Sequence, residues 1–470
     1  MSSHLEQIYA IMPVGVQNLM VTIKGWKFVR KRYGKKFQDN VNTLMRSQWF
    51  SCDQFRELQT TEFRKLLEEV MQNVPYYQKV LSKYSGKINN IDLDSILEIP
   101  LLEKSLLRKD TELFINKNRL KYGNEQGHTS GTSGSPIVWP YDLDSIQYDL
   151  AFRERQYRWA GVSRKHKSAR FGGRVILGKH NNSPFWRSNC SDKQYLFSSY
   201  HISEKTLPIY YEALKNMNFA YLDGYPSSLF SVAKWINKQG KSGHWRPWAV
   251  ITTAEVLMDF QREEIEKAFG CKVFNHYSSS EGAPFVTECS AGRMHLNPES
   301  GIIEFLRPNG EPAELGEDAE MVITSFFQRT MPLIRYRIGD TGALDENQVC
   351  PCGRQMPIIK WIGGRATDVL YSSQGGRVVS AGLSTALCKL AGRLKESQIE
   401  QVGEDSFVFR YVADGGSLSD KEKKNILEVF YGRLGLSVEI KLVELDFIPK
   451  GPNGKLRQII GLNNHNNKSI

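Results

Sequence analysis

Between residues 170 and 300, predicted helices alternate with short apolar, β-branched runs: VIL at 175–177, WAVITTAEV at 248–256 and KVFNHY at 272–277. This alternation narrows the folds open to the chain. Parallel strands must be joined by a crossover, and a helical crossover covers the sheet face. The pattern predicts an α/β fold with a largely parallel sheet. Residues 55–120 read as helical, with Phe63, Leu66, Leu67, Val70 and Met71 at helical spacing. Residues 301–350 turn to strands (GIIEFL, AEMVITSF) separated by Pro, Gly and acidic turns. Past Gly364 the texture changes to a strand (FVFRYV), a charged helix (SDKEKKNILEVFYGRLG) and a strand (VEIKLVEL). That is a small α+β unit after a Gly-rich joint.

At 470 residues the chain has room for about two to three domains. We expect an N-terminal segment (1–40), a large α/β domain with mixed sheets packed by helices (41–366), a small mobile α+β domain (367–462) and a polar tail (463–470). The net charge is +11, from 62 basic and 51 acidic residues. Much of the surplus is local: Lys24, Lys27, Arg30, Lys31, Arg32, Lys35 and Lys36 fall between positions 24 and 36 with no acid among them. A nucleic-acid groove running across the whole protein is therefore not expected. Glu6 sits early and the basic cluster follows the apolar stretch, so no cleavable signal peptide is expected. Seven cysteines, an odd number in a large chain, point to a reducing cytoplasm and not a disulfide framework.

Residues 7–23 carry no charge but are interrupted by Pro13, Gly15, Gln17, Asn18 and Thr22. They are too short and too polar to predict a spanning helix, which needs about 20 mainly apolar residues. Val16, Leu19, Met20 and Ile23 fall at helical spacing, and Trp26 and Phe28 enter the basic run. Two readings stand: residues 7–36 lie on an anionic membrane face, or the helix docks on the protein's own core.

The stretch TSGTSGSPIVWP (129–140) has little to bury, but its hydroxyls and backbone N–H groups can approach an anion, a nucleotide phosphate above all. It lacks the Gly-Lys-Ser/Thr ending of a Walker loop, and alone its composition equally suits a linker. Four further segments follow in order. VFNHYSSSEGAP places Tyr277 and Glu281 just past a predicted strand, where ligand crevices form. There an aromatic ring could cover a base and a carboxylate could hold Mg²⁺ on phosphates. IRYRIGD offers Asp340 to two ribose hydroxyls, or to an ion pair with Arg337. GGRATD supplies Arg365 and Asp368, and PKGPNGK puts Lys455 on a Gly-bounded turn.

A second constellation is metal-like. Cys289, His295, Cys350 and Cys352 offer the Cys₃His set of a closed structural zinc site. The alternative is unrelated buried thiols and a surface histidine. His128 and His276 are read first as structural partners.

The ordered set resembles the adenylate-forming superfamily of acyl-CoA synthetases, adenylation domains and luciferases over about residues 100–460. It is most similar to the phenylacetate–CoA ligase-like branch and its capsular polysaccharide members, which begin with a similar apolar-then-basic segment and often carry a CPCGR run. The resemblance implies an adenylating large domain in which Thr129, Ser130, Gly131, Thr132, Ser133 and Gly134 grip the β- and γ-phosphates. Ala254 and Glu255 would form the adenine-side motif. Tyr277, with Ser278, Ser279 and Ser280 after it, would line the adenine, and Glu281 would bind Mg²⁺. Asp340 and Arg365 would hold the ribose, Asp368 would be the hinge, and Lys455 would bridge the acyl carboxylate and α-phosphate. In similar enzymes the region of Trp186, Tyr195, Tyr200, His201, Tyr221, Gly224 and Tyr225 supplies the acyl pocket. The chain departs from the family pattern at two places. Ser135 and Ile137 stand where the loop usually has a lysine, and Tyr-Ser-Ser-Ser-Glu replaces Tyr-Gly-x-Thr-Glu.

The implied function is an ATP-dependent carboxylate ligase. It would form an acyl-adenylate and pyrophosphate from a small carboxylic or amino acid. The acyl group would pass to an amine, hydroxyl, sugar or thiol acceptor, for capsule assembly at the inner membrane face. The alternatives are a coenzyme A ligase and a catalytically retired, membrane-associated scaffold.

Overall fold

The computed structural model describes residues 8–9, 11–84, 86, 88, 91–120, 125–128, 137–174, 176–177, 183–254, 257, 259–307, 309–317, 319–363, 369–373, 377–379, 393–413, 416–448 and 459–461. A twelve-stranded mixed sheet organises most of them. Five strands run parallel in the spatial order Gln194–Ser198, Ser168–Gly172, Tyr221–Gly224, Ala249–Thr253 and Val273–Tyr277. Helices Leu207–Met217, Pro226–Lys238 and Asp259–Phe269 form successive crossovers. Tyr221–Gly224 and Ala249–Thr253 are buried at every position, as strands covered on both faces must be.

The strand expected at 175–177 lies earlier, at Ser168–Gly172. Glycines 172 and 173 end it, and a Cβ at Gly173 would fall 2.5 Å from the Tyr225 hydroxyl. Ile176 and Leu177 then enter the core outside any strand, because an apolar run can satisfy burial without joining a ladder.

Beyond Val273–Tyr277 the sheet continues antiparallel through Val286–Glu288, Met294–Leu296, Ile358–Gly363, Tyr336–Leu344, Ala319–Ser325 and Gly301–Leu306. The parallel half is packed around Phe171, Phe197, Tyr210 and Leu222. The antiparallel half has its own cluster around Met321, Met331, Leu333 and Tyr336.

Helix Cys52–Asn73 covers the antiparallel half, burying Phe63, Leu66, Leu67 and Val70 on one stripe. Its N-terminus is a capping box: Ser51 accepts from Gln54 N, and Gln54 accepts from Ser51 N. Helix Lys35–Ser47 packs Phe37, Val41 and Leu44 against Ala151 and Phe152 of helix Leu143–Trp159. Helix Val14–Arg32 lies against strand Trp186–Asn189 and the 3₁₀ turn Cys190–Asp192. Docking on the protein's own body is therefore real. Among the described residues no helix is long and apolar enough to cross a membrane.

Toward the C-terminus a second sheet orders Glu439–Glu444, Ser406–Ala413, Leu394–Gln401 and Ile459–Ile460. Phe407, Phe409, Ile426, Phe430 and Leu434 form a separate core between this sheet and helix Asp420–Leu434. The α+β texture read past Gly364 is thus present.

Candidate active site

The five parallel strands point their C-terminal ends to one rim, where α/β sheets form ligand crevices. A cavity of about 1810 Å³ opens there, lined by Tyr200, His201, Tyr221, Gly224, Tyr225, Ala254 and Ser278–Ser280. Of the seven residues flagged for the acyl pocket, Trp186 and Tyr195 pack instead on the core. Helix Val14–Arg32 contributes Phe28 and Arg32 to the far wall, and helix Asp420–Leu434 contributes Asn425 and Glu428. This volume exceeds the roughly 300–1,000 Å³ of a usual small-ligand pocket.

At the end of strand Ala249–Thr253 the backbone of Ala254 takes φ +68°. A non-glycine residue in the left-handed region stores strain of about 1–2 kcal/mol. It turns the chain sharply at the expected adenine-side position. Glu255 lies outside the described residues. In the next strand, His276 faces inward and meets Thr253 Oγ1 through Nε2 at 2.9 Å. Burial, reinforced by Arg153, lowers the His276 pKa to about 3. It is a neutral core histidine and does not reach the cavity.

Tyr277, one residue on, leans on the core of the antiparallel half. Its hydroxyl donates to Asp340 Oδ2 at 2.7 Å. Two residues read separately as adenine and ribose contacts are joined across 63 positions of sequence. Arg337 binds Glu320 at 2.9 Å and Glu103 at 3.2 Å.

The segment Ser278–Gly282 is a tight turn. Gly282 N donates to Ser279 O at 3.2 Å, and Ala283 N donates to Ser279 Oγ at 3.1 Å. Gly282 has φ +81°, and a Cβ there would fall 2.7 Å from Gln328 Cβ. The Tyr141 hydroxyl donates to Ser280 O. Burial, with the Glu281 charge second, holds the Tyr141 pKa well above the usual phenol range. Tyr141 ends strand Val138–Tyr141, which pairs antiparallel with Glu125–His128. His128 pairs with Val138 in that register, and the Tyr141 end of the hairpin lies beside the Ser278–Gly282 turn. Thr129, Ser130, Gly131, Thr132, Ser133 and Gly134 themselves lie outside the described residues, as do Arg365, Asp368 and Lys455.

Sequence reasoning missed Lys104. Its ammonium lies 3.8 Å from Glu281 Oε1, with both side chains largely shielded. The placement is built from backbone pairing. Leu102 N donates to Arg335 O at 2.8 Å and Arg337 N donates to Leu102 O at 3.0 Å, pinning the start of helix Lys104–Lys109 beside strand Tyr336–Leu344. Only that long-range pairing reveals the lysine; no local motif marks it. Glu281 offers the single hard carboxylate that Mg²⁺ takes when substrate phosphates complete its shell.

Several of the charged groups that line the deeper cavity are paired. Arg153 binds Asp149 at 2.9 Å, Arg164 binds Asp192 at 2.6 Å, and Arg32 binds Glu125. Arg170 lies 3.5 Å from Asp223, whose other contact is the Tyr157 hydroxyl at 2.8 Å. The Asp223 charge raises the Arg170 pKa further.

The Cys₃His residues converge elsewhere, on the antiparallel half. The ligand atoms of Cys289, His295, Cys350 and Cys352 all lie within 4.8 Å of one another. Cys289 Sγ and Cys350 Sγ are 3.7 Å apart, and Cys352 Sγ is 3.5 Å from His295 Nε2. Ligands at zinc distances on a tetrahedron would be about 3.8 Å apart for two sulfurs and about 3.5 Å for sulfur and nitrogen. The donor set and spacing fit zinc. His295 is fully buried, not at the surface. Its Nδ1 faces Met356 O at 3.4 Å, which leaves Nε2 for the thiol side. Burial lowers its pKa to about 4, keeping the imidazole in the neutral form a metal needs.

Residues 370–462 match the model of the CapK C-terminal domain. Over 462 residues the chain is 31% identical to Protein CapK of Staphylococcus aureus, covering 96% of this chain and 98% of that protein. It is 23% identical over 460 residues to the phenylacetate-coenzyme A ligase of Thermus thermophilus, covering 91% of this chain and 99% of that one. A crystal structure of 2-hydroxyisobutyryl-CoA ligase shares the fold, with a TM-score of 0.58 at 17% identity, covering 90% of this chain and 94% of that one. The chain belongs to the CapK family, within the phenylacetate–CoA ligase-like branch of the adenylate-forming ligases.

Proposed function

We propose that the protein activates a carboxylic or amino acid with ATP, releasing pyrophosphate, and passes the acyl group to an amine or hydroxyl acceptor in capsular polysaccharide assembly. The observation that carries this reading is the 2.7 Å Tyr277–Asp340 hydrogen bond beside the Ser278–Glu281 turn. It joins the residues read as base and ribose contacts, next to the turn that carries Glu281. Asp340 accepts the ribose hydroxyls, Tyr277 covers the adenine, and the Thr129–Gly134 loop, with Arg365 near the ribose, completes the nucleotide grip. Mg²⁺ held by Glu281 would neutralise charge on the phosphate oxygens.

A carboxylate attacking the α-phosphate meets like-charge repulsion. Lys455 offsets it by bridging the two groups, and the small domain (367–462) brings Lys455 to them by turning about Asp368. The substrate carboxylate supplies the nucleophile, so positioning and electrostatics carry the rate. Zinc on Cys289, His295, Cys350 and Cys352 would tie the segment after the Asp340 strand to strand Met294–Leu296. That role is structural. We place the enzyme in the cytoplasm, at the inner membrane face.

A second reading, transfer to coenzyme A, is favoured by the near full-length match to a phenylacetate-coenzyme A ligase. Both readings are tested by measuring pyrophosphate release from a panel of carboxylic acids, with coenzyme A, with candidate amines or sugars, and with neither. We expect acid-dependent release, and the acceptor that accelerates it identifies the second half-reaction. No release with any acid would favour the scaffold. Lys455→Ala should lower adenylate formation by about a hundredfold to a thousandfold while leaving ATP binding near its wild-type value. Undiminished exchange would remove Lys455 from the mechanism.

A further inference from the structure

Helix Val14–Arg32 docks with its polar side inward. Gln17 is buried, donating to Tyr9 O at 2.9 Å and Met12 O at 2.8 Å and accepting from Arg187. Asn18 Oδ1 accepts from Ser188 N at 2.9 Å, and Thr22 Oγ1 accepts from Cys190 N at 3.2 Å. Gly25 completes this face, where a Cβ would fall 2.7 Å from Asn189 Cγ. Outward stand Val16, 40% exposed, Leu19, 58%, and Trp26, 54%, with Ile23, 49% exposed, at the edge where this face meets the cavity; Ile11, before the helix, is 85% exposed. At 100° per residue, positions 16, 19, 23 and 26 share an arc of about 80°. This inverts the arrangement of a helix that covers its own core.

Arg30 continues the same outward face, its guanidinium 5.5 Å from the Trp26 ring centroid. Arg30, Lys31 and Arg32 fill the last turn, where Lys31 and Arg32 pair with Glu125 and Arg30 stands on the outward face; no acid occurs between positions 7 and 38. An apolar strip flanked by cations and an interfacial tryptophan matches the depth profile of an anionic bilayer: acyl boundary, then headgroups. We propose that the outward face of helix Val14–Arg32 is a peripheral docking surface for an anionic lipid bilayer. This holds independently of the adenylation chemistry.

The test is co-sedimentation of the full chain with vesicles of phosphatidylglycerol in phosphatidylcholine, and with vesicles of phosphatidylcholine alone. Binding is expected to the anionic vesicles and to fall with salt. The double variant Leu19→Gln/Trp26→Gln should bind about tenfold or more weakly. Arg30→Glu should bind about fivefold or more weakly. Both alter exposed side chains, so melting temperatures should stay at the wild-type value. Absence of binding, equal binding to the neutral vesicles, or unchanged binding by the variants would overturn the proposal. So would self-association of the wild type that the double variant abolishes, since the face would then join two copies.

Discussion

The Tyr277–Asp340 site and the Cys₃His cluster both draw on the antiparallel part of one sheet and are organised in different ways. In the cluster, four buried or half-buried side chains from positions 289–352 bring their donor atoms within 4.8 Å of one another, two of the separations being those of a tetrahedral zinc. At the strand ends, Tyr277 pairs with Asp340 and Lys104 with Glu281, and the turn residues Ser278–Ser280 between Tyr277 and Glu281 line a large cavity. The first arrangement suits an ion that stays. The second suits ligands that come and go, with partners that hold the side chains in place between visits. Closure marks structure; room marks turnover.

The sharpest way to break this comparison is to remove a cluster ligand. Cys289→Ser should lower bound zinc below half an equivalent and destabilise the large domain by about 4 kcal/mol or more, since loss of a structural metal lies in the far tail of mutational effects. Elemental analysis and thermal unfolding read both. A purified wild type lacking zinc, or a variant as stable as the wild type, would remove the contrast.

A smaller effect tests the crevice. The family-typical loop lysine is absent here, with Ser135 and Ile137 at its expected places, and Lys104 puts an ammonium beside Glu281. Lys104→Ala should raise the KM for ATP about tenfold, the worth of one charge-assisted hydrogen bond, with a smaller change in kcat. Lys104→Arg should restore most of it. An unchanged KM would make Lys104 a purely structural partner of Glu281.

Much of this was legible in the sequence because the signals are local. The alternation through 248–277 marked buried strands whose ends carry Ala254 and Tyr277. The Cys-Pro-Cys run at 350–352 announced soft ligands. What the sequence hid depends on pairing between distant segments. Lys104 reaches Glu281 only because residue 102 pairs with the backbone of residues 335 and 337. The docking side of helix Val14–Arg32 could not be read from hydropathy, because its inward face is polar and its outward face apolar. The 175–177 run misled for a related reason: burial drives apolar residues inward whether or not they join a sheet.

The central claim is that Tyr277 and Asp340 belong to an adenylating nucleotide site. Acid-dependent ATP–pyrophosphate exchange, compared between the wild type and Asp340→Ala, tests it most directly. The exchange should be present in the wild type with at least one carboxylic acid and fall about a hundredfold in the variant, with an unchanged melting temperature. Exchange that survives the substitution undiminished would contradict the account.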